Sequence, residues 1–356
     1  MSGTTIASLR LCLGVLLIAG MSLPPPVQAC TRVVNLGGDD QVVTARSMDW
    51  ESDIPTNLWV FPRGMARTGG AGPNSIRWAS RYGSVIAAAY DQFTSDGMNE
   101  AGLVANILWL AESRYPANSG AKPGLSIAAW AQYVLDNFTT VQGAVDALAK
   151  EPFVIAAAPV PGTKETATLH LSLSDPSGDS AIIEYVGGRQ VIHHSRDYQV
   201  MTNSPTFERQ LAMEEYWREV GGTVFLPGTS RAADRFARAS FYVRSIPPTS
   251  DSLETIATAF SVIRNVSVPI GVKTPNQPNI SSTRWRTVSD QKRRPYFFES
   301  AMTPNIFWVD LDKIDFSPGR GKVMKLDLGP NERNIFSGMA NKDFRPARPF
   351  QFGGTP

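Results

Sequence analysis

A lone cysteine, Cys30, stands directly behind an apolar leader, and this placement limits how the chain can fold. Residues 11–23 (LCLGVLLIAGMSL) are apolar, follow a single basic residue, Arg10, and end in Pro24, Pro25 and Pro26. Val27-Gln28-Ala29 then puts small residues where a signal peptidase reads. Residues 1–29 are therefore expected to be a signal peptide and residues 30–356 one exported, periplasmic domain. The other cysteine, Cys12, lies inside the leader, so the chain from residue 30 onward has no disulfide to form. It must fold on its core alone.

Cleavage after Ala29 makes Cys30 the first residue, with a thiol and a free α-amine on one side chain and backbone. The amine titrates near pH ~8 and can accept the thiol proton at neutral pH. Nucleophile and base then share a residue. An unpaired cysteine in an exported chain invites oxidation without helping folding, so its presence points to chemistry or to lipidation.

Composition narrows the partners. Net charge is +2, with no polybasic run or acidic tail, so neither nucleic acid nor an anionic membrane surface is expected to bind. After residue 29 no uninterrupted apolar stretch reaches about 18 residues, the length a membrane span needs. His170, His193 and His194 lack the spacing of a helical zinc pair and there is no CxxC, so no metal and no cofactor is expected.

Residues 30–35 and 41–47 are β-type runs joined by Gly37-Gly38-Asp39-Asp40, a hairpin signal. Residues 84–89 and 103–108 read as a second hairpin, with the polar stretch around Asp96-Gly97 as their connection. Helical spacing predicts helices over 125–138 and 141–149, and later over 207–219, 229–243 and 253–263. Strands are predicted over 168–174, 181–186, 190–194 and 198–202, and the last part, from 283, reads as strands and loops. The tail after Asn331 has two courses open, over the surface or to a neighbouring subunit. Strand runs alternating with helix runs favour antiparallel sheets covered by helices, an α+β class.

Four groups of residues bear on chemistry. If the opening strands pair, Arg46 and Asp49 return close to Cys30. A guanidinium lowers a nearby thiol pKa, and a carboxylate can hold an α-ammonium. A surface ion pair is the plainer reading. Asn203, in MTNSP, can donate to an oxyanion, or Asn203 or Ser204 can cap the following helix. Arg231, Arg235 and Arg238 share helical spacing, a pattern usually solvated, although Phe236 and other apolar neighbours suggest that Arg235 points inward. Trp50 and Trp109 can wall an apolar acyl slot or simply pack in the core.

The opening CTRVV, the downstream RSMDW, the spacing to Asn203 and the segment LPGTSRAADRFAR together resemble the choloylglycine hydrolase family. That family comprises conjugated bile acid hydrolases and penicillin V acylases of the N-terminal nucleophile class, and the resemblance covers most of residues 30–340. It implies a four-layer αββα fold of two stacked antiparallel sheets covered by helices. It also implies hydrolysis of a linear amide in a small-molecule substrate through a thioester. By position, Cys30 would be the nucleophile, Arg46 and Asp49 would tune it, Asn203 would donate to the oxyanion and Arg235 would support the site. The Trp109 backbone N–H would be the second oxyanion donor, with Trp50 and Trp109 as substrate-binding residues. Trp109 replaces the Asn or Tyr of bile-acid-cleaving and Gram-positive members. With the leader, it points to the Gram-negative branch, hence to penicillin V and acyl homoserine lactones ahead of bile salts. A homotetramer is the expected assembly.

Two rivals stand beside this reading. One is a lipid-anchored periplasmic binding protein acylated on Cys30, although Gln28 and the missing Leu fit a lipidation box poorly. The other is an acid-ceramidase-like amidase that uses the same terminal cysteine.

Overall fold

The computed structural model describes residues 30–163, 165–272 and 281–353, and the leader expected over 1–29 lies outside them. The first hairpin forms as its turn signal predicts. Strand Thr31–Leu36 pairs antiparallel with Val42–Trp50, and both aspartates of the turn, Asp39 and Asp40, take positive φ. This hairpin sits inside a seven-stranded sheet. Val200–Met201 flanks it on one side, and Ser282–Asp290, Pro295–Ser300, Ile306–Asp310 and Gly338–Met339 follow on the other.

A nine-stranded sheet lies against it. Its order runs Arg189–His194, Ser180–Val186, Leu169–Ser174, Val104–Trp109, Phe93–Asn99, Ser84–Ala89, Thr56–Phe61, Met324–Asp327 and Arg345–Pro346. Polar bridges cross between the two sheets. Thr44 bonds Ser174 at 2.7 Å, Arg32 Nη2 donates to the Leu173 carbonyl at 2.8 Å, and Thr287 donates to Asp96 at 3.1 Å.

Helices close both outer faces. Trp130–Asn137 and Val141–Leu148 cover the nine-stranded sheet, and Ala232–Ser245 and Ser252–Asn265 cover the seven-stranded one. Helix Ser252–Asn265 starts at Asp251, whose carboxylate accepts from Leu253 N at 2.8 Å and Glu254 N at 3.2 Å. These caps satisfy donors that the first turn leaves open. The layers are therefore helix, sheet, sheet, helix, as the αββα expectation has it.

The differences from the sequence reading have physical causes. The polar stretch between the expected strands of the second hairpin is itself a strand, Phe93–Asn99, buried along its whole length. Its polarity is tolerated because Asp96 accepts from Tyr296 Oη at 2.5 Å, Asn106 Nδ2 at 2.5 Å and Thr287. The helix expected from 125 begins later. Gly124–Ser126 pairs in parallel with Val154–Ala156, and a 3-10 turn, Ile127–Ala129, leads into the helix. Strand Thr56–Phe61 escaped notice altogether. The tail folds back on its own chain: Arg345–Pro346 pairs with Met324–Asp327, and Phe350 packs edge-on against Trp59 at 5.3 Å.

Asp96 is the hinge of the polar layer between the sheets, so Asp96→Ala strands three buried donors at once. We expect a stability loss of about 3 kcal/mol or more in urea denaturation. A loss below about 1 kcal/mol, the net worth of one ordinary hydrogen bond, contradicts this account of the interlayer.

Candidate active site

Side chains alternate along a strand, and this parity decides what Cys30 meets. Thr31 pairs with Ser47 and Arg32 with Arg46, so Cys30 falls beside Met48 on the face turned to the second sheet. Arg46, Met48 and Trp50 share that face. Cys30 Sγ lies 3.9 Å from Met48 Sδ and 3.8 Å from the Asp49 carbonyl oxygen. Arg46 Nη2 contacts the same Met48 sulfur at 3.5 Å and donates to the Ile107 carbonyl at 3.0 Å.

Asp49 is three residues from Arg46, so its carboxylate turns the other way, towards the helices. It accepts from Thr283 Oγ1 at 2.5 Å and Ser47 Oγ at 3.2 Å. Arg46 and Asp49 thus approach Cys30 from opposite faces of one sheet.

The Cys30 nitrogen has a different partner from the one expected. It donates to Asn203 Oδ1, not to the Asp49 carboxylate. Strand Val200–Met201 pairs beside Arg32 and Val33, and this register delivers Asn203 to the chain start. Asn203 Oδ1 also accepts from Arg235 Nη2 at 2.9 Å, while Asn203 Nδ2 donates to the Trp109 carbonyl at 2.8 Å. Two donors on the oxygen and one acceptor on the nitrogen fix the amide's orientation.

Arg235 completes a clamp. Its Nη1 donates to the Cys30 carbonyl at 2.6 Å and to Thr31 Oγ1, and its Nε to the Ser230 carbonyl at 2.9 Å. Ala232, Arg235, Phe236 and Ala239 are all buried, the i, i+3, i+4, i+7 face of the helix. Arg231 and Arg238 play other parts: Arg231 is exposed, and Arg238 holds the Pro227 and Thr229 carbonyls.

The capping alternative for Asn203 and Ser204 fails. The Phe207 N–H at the next helix goes to the Glu184 carboxylate at 3.1 Å, and Ser204 Oγ accepts from Ala111 N at 3.1 Å. Gln210 escaped the sequence reading. It lies one turn into that helix and donates to both the Asn203 carbonyl and Thr202 Oγ1 at 3.1 Å. Met48 was also missed, although its two-residue spacing from Arg46 was the available signal.

An apolar cleft opens over Cys30, walled by Trp50, Trp109, Ile54, Phe93, Val160 and Leu169. Trp50 and Trp109 meet edge to face, centroids 5.6 Å apart. Burial pushes the Cys30 thiol pKa up, and the Arg46 guanidinium is the strongest opposing influence. Burial likewise pushes Asp49 up to about 6, against Arg235 and its hydroxyl donors. Among the described residues, no group of three or more His, Cys, Asp or Glu could hold a metal ion, and no helix is long and apolar enough to cross a membrane.

Residues 30–324 match the model of the linear amide C–N hydrolases of the choloylglycine hydrolase family, and that match begins at Cys30. The chain belongs to this family. It is a hydrolase acting on linear amide bonds. It is 58% identical over 347 residues to a penicillin V acylase of Pectobacterium atrosepticum, covering 92% of each chain. The structure of a penicillin V acylase from Agrobacterium tumefaciens is similar at 64% identity and TM-score 0.86, over 92% of this chain and 100% of that one. A variant of the conjugated bile acid hydrolase of Clostridium perfringens superposes with TM-score 0.71 at 19% identity, over 87% of this chain and 98% of that one. That last likeness speaks to the N-terminal nucleophile hydrolase fold alone.

The raised Asp49 pKa has a definite sign. Between about pH 4, where an unfolded aspartate titrates, and pH 6, the native chain holds more protons than the unfolded one. The Asp49 contribution to stability therefore falls as pH rises through this window. Asp49→Asn cannot titrate, so relative to wild type it should gain roughly 2–3 kcal/mol between pH 4 and pH 7. Urea denaturation of both proteins across that range checks this, and parallel profiles contradict it.

Proposed function

We propose that this chain is a penicillin V acylase that uses Cys30 as its nucleophile once residues 1–29 have been removed. The observation that carries the reading is the position of Cys30. Its nitrogen is clamped by Asn203, and its thiol opens into an aromatic cleft suited to a phenoxyacetyl group. Identities of 58% and 64% to chains named penicillin V acylase support the substrate. Export to the periplasm rests on the leader, and assembly as a homotetramer on the family resemblance. Long-chain acyl homoserine lactones form a second substrate class that an apolar cleft suits.

The reaction follows from the groups in reach. The free α-amine takes the thiol proton, and the thiolate attacks the amide carbon. A fully buried thiol with a raised pKa needs such a base, because its own ionised fraction is small. The carbonyl oxygen becomes an oxyanion. Asn203 Nδ2 carries two hydrogens, one engaged by the Trp109 carbonyl, which leaves one for that oxyanion. The α-ammonium gives its proton to the leaving nitrogen, the C–N bond breaks, and a thioester remains. Water, deprotonated by the same amine, adds to the thioester carbon. The carboxylic acid leaves, and the sulfur regains its proton.

A lost oxyanion donor is worth about 3 kcal/mol, so Asn203→Ala should cut turnover of penicillin V on the order of a hundredfold or more with the fold retained. Cys30→Ser should lose most activity, because an alcohol ionises far less readily than a thiol. Amino-terminal sequencing and intact mass of the exported protein should show Cys30 first and unmodified. Diacylglycerol on that sulfur, or full activity in Cys30→Ser, would falsify the reading. A panel of penicillin V, acyl homoserine lactones, conjugated bile acids and acyl sphingosines ranks the substrates.

A further inference from the structure

Arg46 is buried between the sheets, yet its Nε and Nη1 make no hydrogen bond among the described residues. Only Nη2 is engaged, by the Ile107 carbonyl and the Met48 sulfur. What holds the rest of the guanidinium is a ring. Its central carbon lies 4.7 Å from the centroid of Trp285, which is itself wholly buried. Trp285 sits on the neighbouring strand, where Thr287 pairs with Arg46 and Trp285 with Met48. Its indole N–H is fixed by Thr56 Oγ1 at 3.0 Å, across the gap between the sheets, and Phe298 lies 5.4 Å away.

We propose that Trp285 is a positioning residue, whose ring face holds the Arg46 guanidinium beside the Cys30 thiol. A carboxylate could hold an arginine as firmly, but it would cancel the charge that the thiol feels. An aromatic face attracts the cation through its quadrupole and carries no net charge. The charged groups around Arg46 fit this division. The Asp96 carboxylate feels the Arg46 charge but forms no ion pair with it, its hydrogen bonds coming from Tyr296, Asn106 and Thr287, and the Asp49 carboxylate turns to the helix side with Arg235. The indole face is thus a support that holds Arg46 beside Cys30 without adding a further counter-charge.

The inference rests on Cys30 being the nucleophile, and the experiment separates the two. Mature wild type is first alkylated with iodoacetamide. If modification of Cys30 leaves penicillin V hydrolysis intact, the nucleophile reading fails. Trp285→Phe keeps a ring face and Trp285→Leu removes it, while both lose the N–H to Thr56. A buried cation–π contact corresponds to roughly a tenfold effect, so Trp285→Leu should lower kcat about tenfold with KM little changed. The pH midpoint of Cys30 alkylation should also move upward in Trp285→Leu and stay near wild type in Trp285→Phe. If Trp285→Leu does not fold, Trp285→Met, which fills more of the space without a ring, takes its place. Equal losses in the ring-bearing and ringless variants, or an unmoved alkylation midpoint in both, overturn the proposal while leaving Cys30 as nucleophile.

Discussion

The site depends on three buried guanidinium groups that form no ion pair with a carboxylate among the described residues. Arg32, Arg46 and Arg235 are all fully buried: Arg32 and Arg235 hand their hydrogens to main-chain carbonyls and neutral side chains, and Arg46 gives one to the Ile107 carbonyl and rests against the Trp285 face. A buried charge is costly unless its donors are satisfied. Arg32 joins the two sheets through the Leu173 and Tyr198 carbonyls, and burial pulls its pKa down to about 9. Arg235 joins sheet to helix through the Cys30 and Ser230 carbonyls. Carbonyls fix position without neutralising charge, so the layers are tied together by groups that keep their fields. Two of the three converge on residue 30.

How much of this was legible depended on whether a feature repeats locally. The opening hairpin could be read because Gly37-Gly38-Asp39-Asp40 supplies the turn chemistry, and Asp39 and Asp40 take positive φ in it. Arg235 could be read as inward because Phe236 and the alanines mark the buried face of its helix. Strand Phe93–Asn99 could not, since two of the three donors that justify its buried Asp96, Tyr296 and Thr287, come some two hundred residues later. That the Cys30 nitrogen meets Asn203 was not legible for a related reason. Pairing of the opening strands does bring both Arg46 and Asp49 close to Cys30, but a separation of three along a strand places them on opposite faces. Asn203 was marked as chemically useful, but its service to the Cys30 nitrogen needed the register of Val200–Met201 against the first strand.

That register bears on activation. With residues ahead of Cys30 still attached, its nitrogen is a peptide N–H, which can donate to Asn203 Oδ1 but has no basic lone pair. On the proposed reading, cleavage turns the same nitrogen into an amine. The amine can keep its hydrogen bond to Asn203 while offering a lone pair to the thiol. The clamp of Arg235, Asn203 and the Trp109 carbonyl is made by residues that cleavage would leave in the chain, so on this reading one hydrolysis changes the chemistry of a nitrogen already held in place.

On the proposed reading, the cleft sets a conflict that the rest of the site answers. Apolar walls favour an acyl group, yet the same burial raises the thiol pKa and makes the thiolate scarce. A bound substrate, by excluding more water, sharpens the conflict. A base on the nucleophile's own residue answers it first, because the proton moves within one residue and no charged side chain must enter the cleft. An arginine without a carboxylate partner answers it next, since its field grows stronger in the dry state that penalises the thiolate. Recognition of an apolar acyl group and activation of a thiol thereby become compatible in one cleft. An ion-paired arginine in the same place would satisfy the first requirement and defeat the second.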